Sequence, residues 1–171
     1  GIVTTVNANP TPGLTSSDGD NIICAGTSVT FTGSGGTNYE FFVGGVSVQN
    51  GAGTTYATTT LLNGQSVTVR VTNAAGCLAT STGITTTVNP NPIASITSSD
   101  GDNIICAGTS VTFTATPAGA TTYNFRVNGV SQQSGASNLY TTSALTTGQT
   151  VDVIVTSAAG CTGTSAGIVT T

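Results

Sequence analysis

The chain has no histidine, methionine or tryptophan, and its two basic residues, Arg70 and Arg126, leave it without lysine as well. Charged side chains make up 5% of its 171 residues, against about 25% in ordinary globular domains. Each gap excludes a class of function. Without His or Lys, the commonest general bases and the usual activators of a Ser or Cys nucleophile are missing, and a His-containing zinc site cannot be built. Two arginines cannot supply the roughly six to ten phosphate contacts of a typical DNA binder, and a net charge of −4 repels the phosphate backbone. Nucleic acid is not an expected partner. No apolar run approaches the roughly 18 residues needed to span a bilayer, so no membrane insertion is expected in this segment. With neither a starting Met nor a signal peptide, the sequence reads as a mature or excised piece of a longer product.

What is present is apolar and hydroxyl-rich. The hydrophobic fraction is 37%, there are 23 glycines, and threonine supplies about a fifth of the chain. This gives a surface that is polar without charge. Intrinsic disorder, which needs low hydrophobicity with high net charge, is excluded.

Internal repetition sets the organisation. Thr15–Thr32 (TSSDGDNIICAGTSVTFT) recurs unchanged as Thr97–Thr114. Gly1–Val6 (GIVTTV) recurs as Gly83–Val88 (GITTTV), and its first five residues return as Gly167–Thr171. The sequence thus begins and ends with the same tail, the pattern of a window cut from a longer array. Residues 1–8 read as the tail strand of a preceding repeat or a donor strand, 9–88 as module 1, 89–92 as a linker, and 93–171 as module 2. The linker, Asn89-Pro90-Asn91-Pro92, is short and semi-rigid because proline fixes φ.

Within each module the pattern is all β. Val29–Thr32 and Val111–Thr114 alternate apolar and hydroxyl residues, as half-buried strands do. Ser66–Thr72 (SVTVRVT) and Thr150–Thr156 (TVDVIVT) carry Val at alternate positions. Tyr39–Val43 is followed by Gly44-Gly45, and Tyr123–Val127 by Asn128-Gly129, both signals for type I′ hairpins. Thr82–Val88 supplies a last strand, and no stretch has a helical period. The expected fold is all-β: two tandem antiparallel Ig-like β-sandwich modules, each of six or seven short strands, one disulfide each.

The cysteines are Cys24, Cys77, Cys106 and Cys161, two per module. Four cysteines allow three pairings. Because an array must give every module the same bond, repeat logic favours Cys24–Cys77 and Cys106–Cys161, each closing a loop worth roughly 4 kcal/mol in the chain-entropy treatment. Stable disulfides predict an extracellular or cell-surface setting.

The order Ile-Cys-Ala-Gly-Thr-Ser-Val-Thr-Phe, Tyr-x-Phe, Val-x-Val-x-x-Ala-Ala-Gly-Cys, then Val-Asn-Pro-x-Pro resembles bacterial Ig-like/PKD-like repeats. These occur in tandem in long secreted surface adhesins, notably those of type IX secretion and gliding motility. The resemblance covers both modules, although many members carry Trp where this chain has Phe41 and Phe125. It implies a sandwich with one internal disulfide and a stalk or adhesive role, and brings no catalytic residues.

Other candidate sites are few. Asp18, Asp20, Asp100 and Asp102 sit in the repeated Asp-Gly-Asp-Asn turn. They read either as Ca2+ ligands near a linker, although six to eight oxygens are needed, or as polar turns whose Asp and Asn bond their own backbone. No cofactor is otherwise expected. A glycosidase pair on one turn lacks the separation of about 5–9.5 Å across a cleft. Arg70, Arg126, Glu40 and Asp152 read as local surface pairs. Tyr39, Tyr56, Tyr123 and Tyr140 recur in register and read as core or half-core. Gly1, Ile2, Val3, Thr4, Thr5 and Val6 form an assembly strand with no home module in this sequence, and its backbone needs a partner. The expected function is a structural repeat of an extracellular filament, stalk or adhesin shaft, non-catalytic, contacting neighbouring copies end to end. The alternative is a glycan- or ice-binding surface using Thr and Tyr faces.

Overall fold

The computed structural model describes residues 1–171. It is all β and divides into two compact units, Gly1–Asn89 and Pro90–Thr171.

In module 1, β1 (Gly13–Ser16), β3 (Val29–Ser34) and β6 (Thr55–Thr58) form one antiparallel sheet in the order β1-β3-β6. The facing sheet runs β5 (Val46–Gly51), β4 (Asn38–Val43), β7 (Ser66–Thr72) and β8 (Leu78–Thr80), with β9 (Ile84–Thr85) also on β7. A parallel pair, β2 (Ile22–Cys24) with β10 (Thr87–Asn89), completes the module. Module 2 repeats the plan. β11 (Ser95–Ser98), β12 (Val111–Thr116) and β15 (Leu139–Thr142) form one sheet. β14 (Val130–Gly135), β13 (Thr122–Val127), β16 (Thr150–Thr156) and β17 (Thr162–Thr164) form the other, with β18 (Ile168–Val169) on β16. These are two tandem Ig-like β-sandwiches.

The alternating sequences place every second residue inward. Val67, Val69 and Val71 of β7 pack with Phe31 and Phe41, and Val151, Val153 and Val155 of β16 pack with Phe113 and Phe125. The strands read at Ser66–Thr72 and Thr150–Thr156 have those same bounds. Both hairpins form, and Gly44, Gly45, Asn128 and Gly129 all have positive φ, as a type I′ turn requires at both central residues.

One expected strand breaks. Thr82–Val88 becomes β9 and β10 because the chain changes partners at Thr86. Its N–H donates to the Gln65 carbonyl, its own carbonyl accepts from Gly64 N–H, and its side chain is buried. Before it the chain pairs antiparallel with β7; after it, parallel with β2.

The disulfide expectation is corrected. Cys77 and Cys106 carry free thiols, while Cys24 and Cys161 are disulfide-bonded, so neither Cys24–Cys77 nor Cys106–Cys161 forms. The reason lies in where each sandwich holds its cysteines. Cys24 lies opposite Asn89, on chain that has run past the Ser66 end of β7. Cys77 lies beyond the other end, where its carbonyl accepts from Asn73 N–H and Leu78 pairs with Thr72. A seven-residue strand separates them, about 20 Å at the usual rise per residue, whereas a disulfide needs Cα atoms within about 7 Å. Module 2 is built the same way. Cys106 follows Ile105, whose N–H donates to Thr171 near the Thr150 end of β16, and the Cys161 carbonyl accepts from Ser157 N–H beyond the Thr156 end. Each sandwich carries one cysteine at each pole.

Candidate functional site

The Asp-Gly-Asp-Asn turns are held by their own hydrogen bonds. Ile22 N–H donates to Asp20 Oδ1 at 3.0 Å, and Ile104 N–H to Asp102 Oδ1 at 3.0 Å. Asp100 Oδ1 accepts from the N–H of Asp102 at 3.2 Å and of Asn103 at 3.0 Å, and Ser16 and Ser98 hydroxyls accept from Asp18 and Asp100 N–H. Asn21 and Asn103 take φ of 56° and 58°, the left-handed geometry that Asn tolerates in a turn. Bonding from Ile104 N–H, then the Asp100 side chain, holds the Asp102 carboxyl below its ordinary pKa. No three His, Cys, Asp or Glu side chains gather as a metal-holding group.

The few opposite charges meet across strands. In module 1, Arg70 of β7 bonds Glu40 of β4, directly opposite in the sheet. Ser47 hydroxyl also donates to Glu40 Oε1 at 2.8 Å, and the guanidinium carbon sits 5.3 Å from the Phe42 ring centroid. The Ser47 bond first, then Arg70, holds the Glu40 carboxyl below its ordinary range. In module 2 the signs exchange strands: Arg126 is on β13 and Asp152 on β16. Hydrogen bonding to Asp152 raises the Arg126 pKa. Both pairs are local to one sheet, each joining residues directly opposite on neighbouring strands.

The tyrosines belong to the cores. Tyr39 and Tyr123 are buried, and their hydroxyls donate to the carbonyls of Gly36 and Pro117, each at 2.7 Å. Tyr56 stacks on Phe41 with centroids 5.8 Å apart, and Tyr140 on Phe125 at 5.5 Å. A cavity of about 350 Å³ lies in module 2 beside Asn128, Gln132, Tyr140 and Gln149. It is lined by no charged side chain.

Gly1–Val6 is fully exposed and in no strand: Ile2 is 98% exposed, whereas its repeat equivalents Ile84 and Ile168 pack against the two cores. Just after it the chain is anchored. Ala8 carbonyl accepts from the Asn73 amide at 2.8 Å, and Asn7 carbonyl from the Cys77 thiol at 3.8 Å. Sequence reasoning missed the second contact, because nothing in the spacing of Asn7 and Cys77 points to it.

No family profile matches the sequence, and no curated protein matches it. Among solved structures, the chain is similar to fibronectin(III)-like modules of CbhA from Clostridium thermocellum, at 14% identity and a TM-score of 0.47, over 92% of this chain and 94% of that one. It is also similar to a chain in the complex of the mouse coronavirus receptor-binding domain with its murine receptor, at 11% identity and TM-score 0.44, over 93% of this chain and 99% of that one. A third likeness is murine CEACAM1b, at 9% identity and TM-score 0.42, over 93% of this chain and 99% of that one. The Ig-like assignment rests on the strand order and facing sheets described above.

Proposed function

We propose that the chain is a structural repeat of an extracellular filament, stalk or adhesin shaft, bearing load and contacting neighbouring copies end to end without catalysis. The observation that carries this reading is the fate of one repeated sequence. Gly83–Val88 and Gly167–Thr171 serve as closing strands of their modules, while Gly1–Val6, nearly identical, is exposed with its apolar side chains in solvent. An exposed segment whose sequence copies form strands elsewhere in this fold is suited to strand addition. A contact repeated head to tail that does not close builds a linear assembly. The bonded cysteines support an oxidising, extracellular location.

Electron microscopy and sedimentation of the purified chain at increasing concentration test this reading. The expected result is end-to-end chains whose length grows with concentration. Compact monomers at every concentration, with unchanged sedimentation, overturn it.

A further inference from the structure

Module 1 contains a docking arrangement that module 2 repeats only in part. In module 1, Thr87–Asn89 lies parallel to Ile22–Cys24, with Val88 opposite Ile23 and Asn89 opposite Cys24. Thr87 N–H donates to the Asn21 carbonyl at 2.8 Å, and Ala25 N–H to the Asn89 carbonyl at 2.9 Å. In module 2, Thr171 takes the place of Thr87. Its N–H donates to the Asn103 carbonyl at 2.9 Å, and its own carbonyl accepts from Ile105 N–H at 3.0 Å. Beyond that point Ile104–Cys106 is in no strand, and Cys106 is exposed with a free thiol.

The sequence that fills this place in module 1 is Val88-Asn89, and the same dipeptide stands exposed as Val6-Asn7. Asn7 carbonyl is also the partner of the Cys77 thiol. A second copy whose Val6–Asn7 ran along Ile105–Cys106, as Val88–Asn89 runs along Ile23–Cys24, would place Asn7 opposite Cys106. Its Cys77 would arrive with it. The two free thiols are complementary in kind: Cys106 holds the pole that Cys24 holds in module 1, Cys77 the pole that Cys161 holds in module 2, and Cys24 and Cys161 are the oxidised ones.

We propose that Cys106 of one copy and Cys77 of a second copy form a disulfide, seated by parallel strand addition of the second copy's Val6–Asn7 along Ile105–Cys106. This rests on the end-to-end reading above and makes the contact covalent. The oxidant is a small disulfide such as oxidised glutathione. One cysteine thiolate attacks it, forming a mixed disulfide and releasing one glutathione thiolate. The other cysteine thiolate then attacks the protein sulfur of that mixed disulfide, releasing the second. The two cysteines are oxidised, one glutathione disulfide is reduced to two thiols, and the cysteine protons go to solvent.

The test incubates the intact chain with excess oxidised glutathione and reads products by non-reducing denaturing electrophoresis and peptide mass spectrometry. A ladder of dimers, trimers and longer species, joined by Cys77–Cys106 peptides, is expected. Cys77→Ser and Cys106→Ser each remain monomeric alone, and their mixture stops at the dimer. Val6→Pro, outside both sandwiches, lowers ladder yield several-fold with an unchanged circular dichroism spectrum. The proposal is overturned by monomers carrying an intrachain Cys77–Cys106 bond, by Cys77–Cys77 and Cys106–Cys106 bridges as abundant as mixed ones, or by a ladder indifferent to Val6→Pro. Native sedimentation of the double serine variant separates the two readings. End-to-end chains there, with no ladder from the parent, sink the disulfide and leave the filament; monomers from both proteins sink both.

Discussion

Arg126 grips Asp152 with two parallel hydrogen bonds, Nε to Oδ1 and Nη2 to Oδ2, each 2.7 Å long, between residues directly opposite on β13 and β16. The fork geometry matches guanidinium to carboxylate. Yet both side chains keep about a fifth to a quarter of their surface in solvent, so water screens much of the attraction. A double-mutant cycle with Arg126→Ala and Asp152→Ala should return a coupling of about 0.5–1 kcal/mol. Chemical denaturation in low and high salt is the measurement, with coupling falling as salt rises. A coupling above about 3 kcal/mol would show a buried-type ion pair instead.

The cores should matter far more. Phe125 is wholly buried between Val153 and the stacked Tyr140 ring. Phe125→Ala removes the ring and leaves a cavity, a loss of about 3–5 kcal/mol, and Phe41→Ala should cost module 1 a similar amount. Hydrogen exchange resolved by peptide assigns each loss. Protection should collapse around β13 and β16 for Phe125→Ala, and around β4 and β7 for Phe41→Ala. Equal loss in both modules from either change contradicts the two separate cores.

Much of this architecture could be read from the sequence because its signals are local. Val at alternate positions of Ser66–Thr72 and Thr150–Thr156 gives β7 and β16 their inward faces, and Gly44-Gly45 and Asn128-Gly129 mark turns that need positive φ at two consecutive residues. The tyrosines were legible as core because they recur in register. What was not legible depends on how far apart the fold holds residues. Nothing in the spacing of Cys24 and Cys77 reveals that β7 lies lengthwise between them, so repeat logic paired two cysteines that stand at opposite poles. The break at Thr86 was hidden for the same reason, since it appears only once β2 and β7 compete for one strand. Arg70 facing Glu40 likewise requires the register of β4 on β7.

Gly35 and Gly45 both have positive φ, +96° and +83°, but differ in surroundings. A Cβ at Gly45 meets open space, whereas one at Gly35 would stand 2.0 Å from the Thr11 carbonyl oxygen. Gly45→Ala should therefore cost only the left-handed backbone penalty of about 1–2 kcal/mol. Gly35→Ala adds a backbone collision that no rotamer relieves and should cost about 3 kcal/mol or more. Thermal melts of the two variants should differ accordingly, and equal shifts would count against the close passage of Gly35 by Thr11.

Stability should be insensitive to pH through the neutral range, because no His is present and the ordinary side-chain titrations lie outside about pH 5–8. Glu40 and Asp102 have folded pKa values below their ordinary 4.5 and 3.8. Their contribution is complete above those ordinary values and is lost as pH falls through the lower, folded ones. Melting temperature should be level from about pH 5 to 8 and decline below about pH 4. Because these are two of six acidic residues, Glu40→Gln with Asp102→Asn should flatten only part of that decline. A stability step near pH 6.5 would be at odds with this chemistry.

The aspartate turns should stand without calcium. Asp102 Oδ1 accepts from Ile104 N–H, and both bonds to Asp100 Oδ1 come from backbone N–H groups of the same turn, so these oxygens already have donors. A calcium ion would need six to eight oxygens, and no third acidic side chain joins either turn. Melting temperature should be the same in EDTA and in millimolar calcium. Asp102→Asn keeps a side-chain oxygen for Ile104 N–H and should be nearly neutral. Asp102→Ala removes that acceptor and should lower the melting temperature measurably below that of Asp102→Asn. A calcium-dependent rise in melting temperature that both variants abolish would instead make Asp102 a ligand whose charge, not merely its acceptor oxygen, is required.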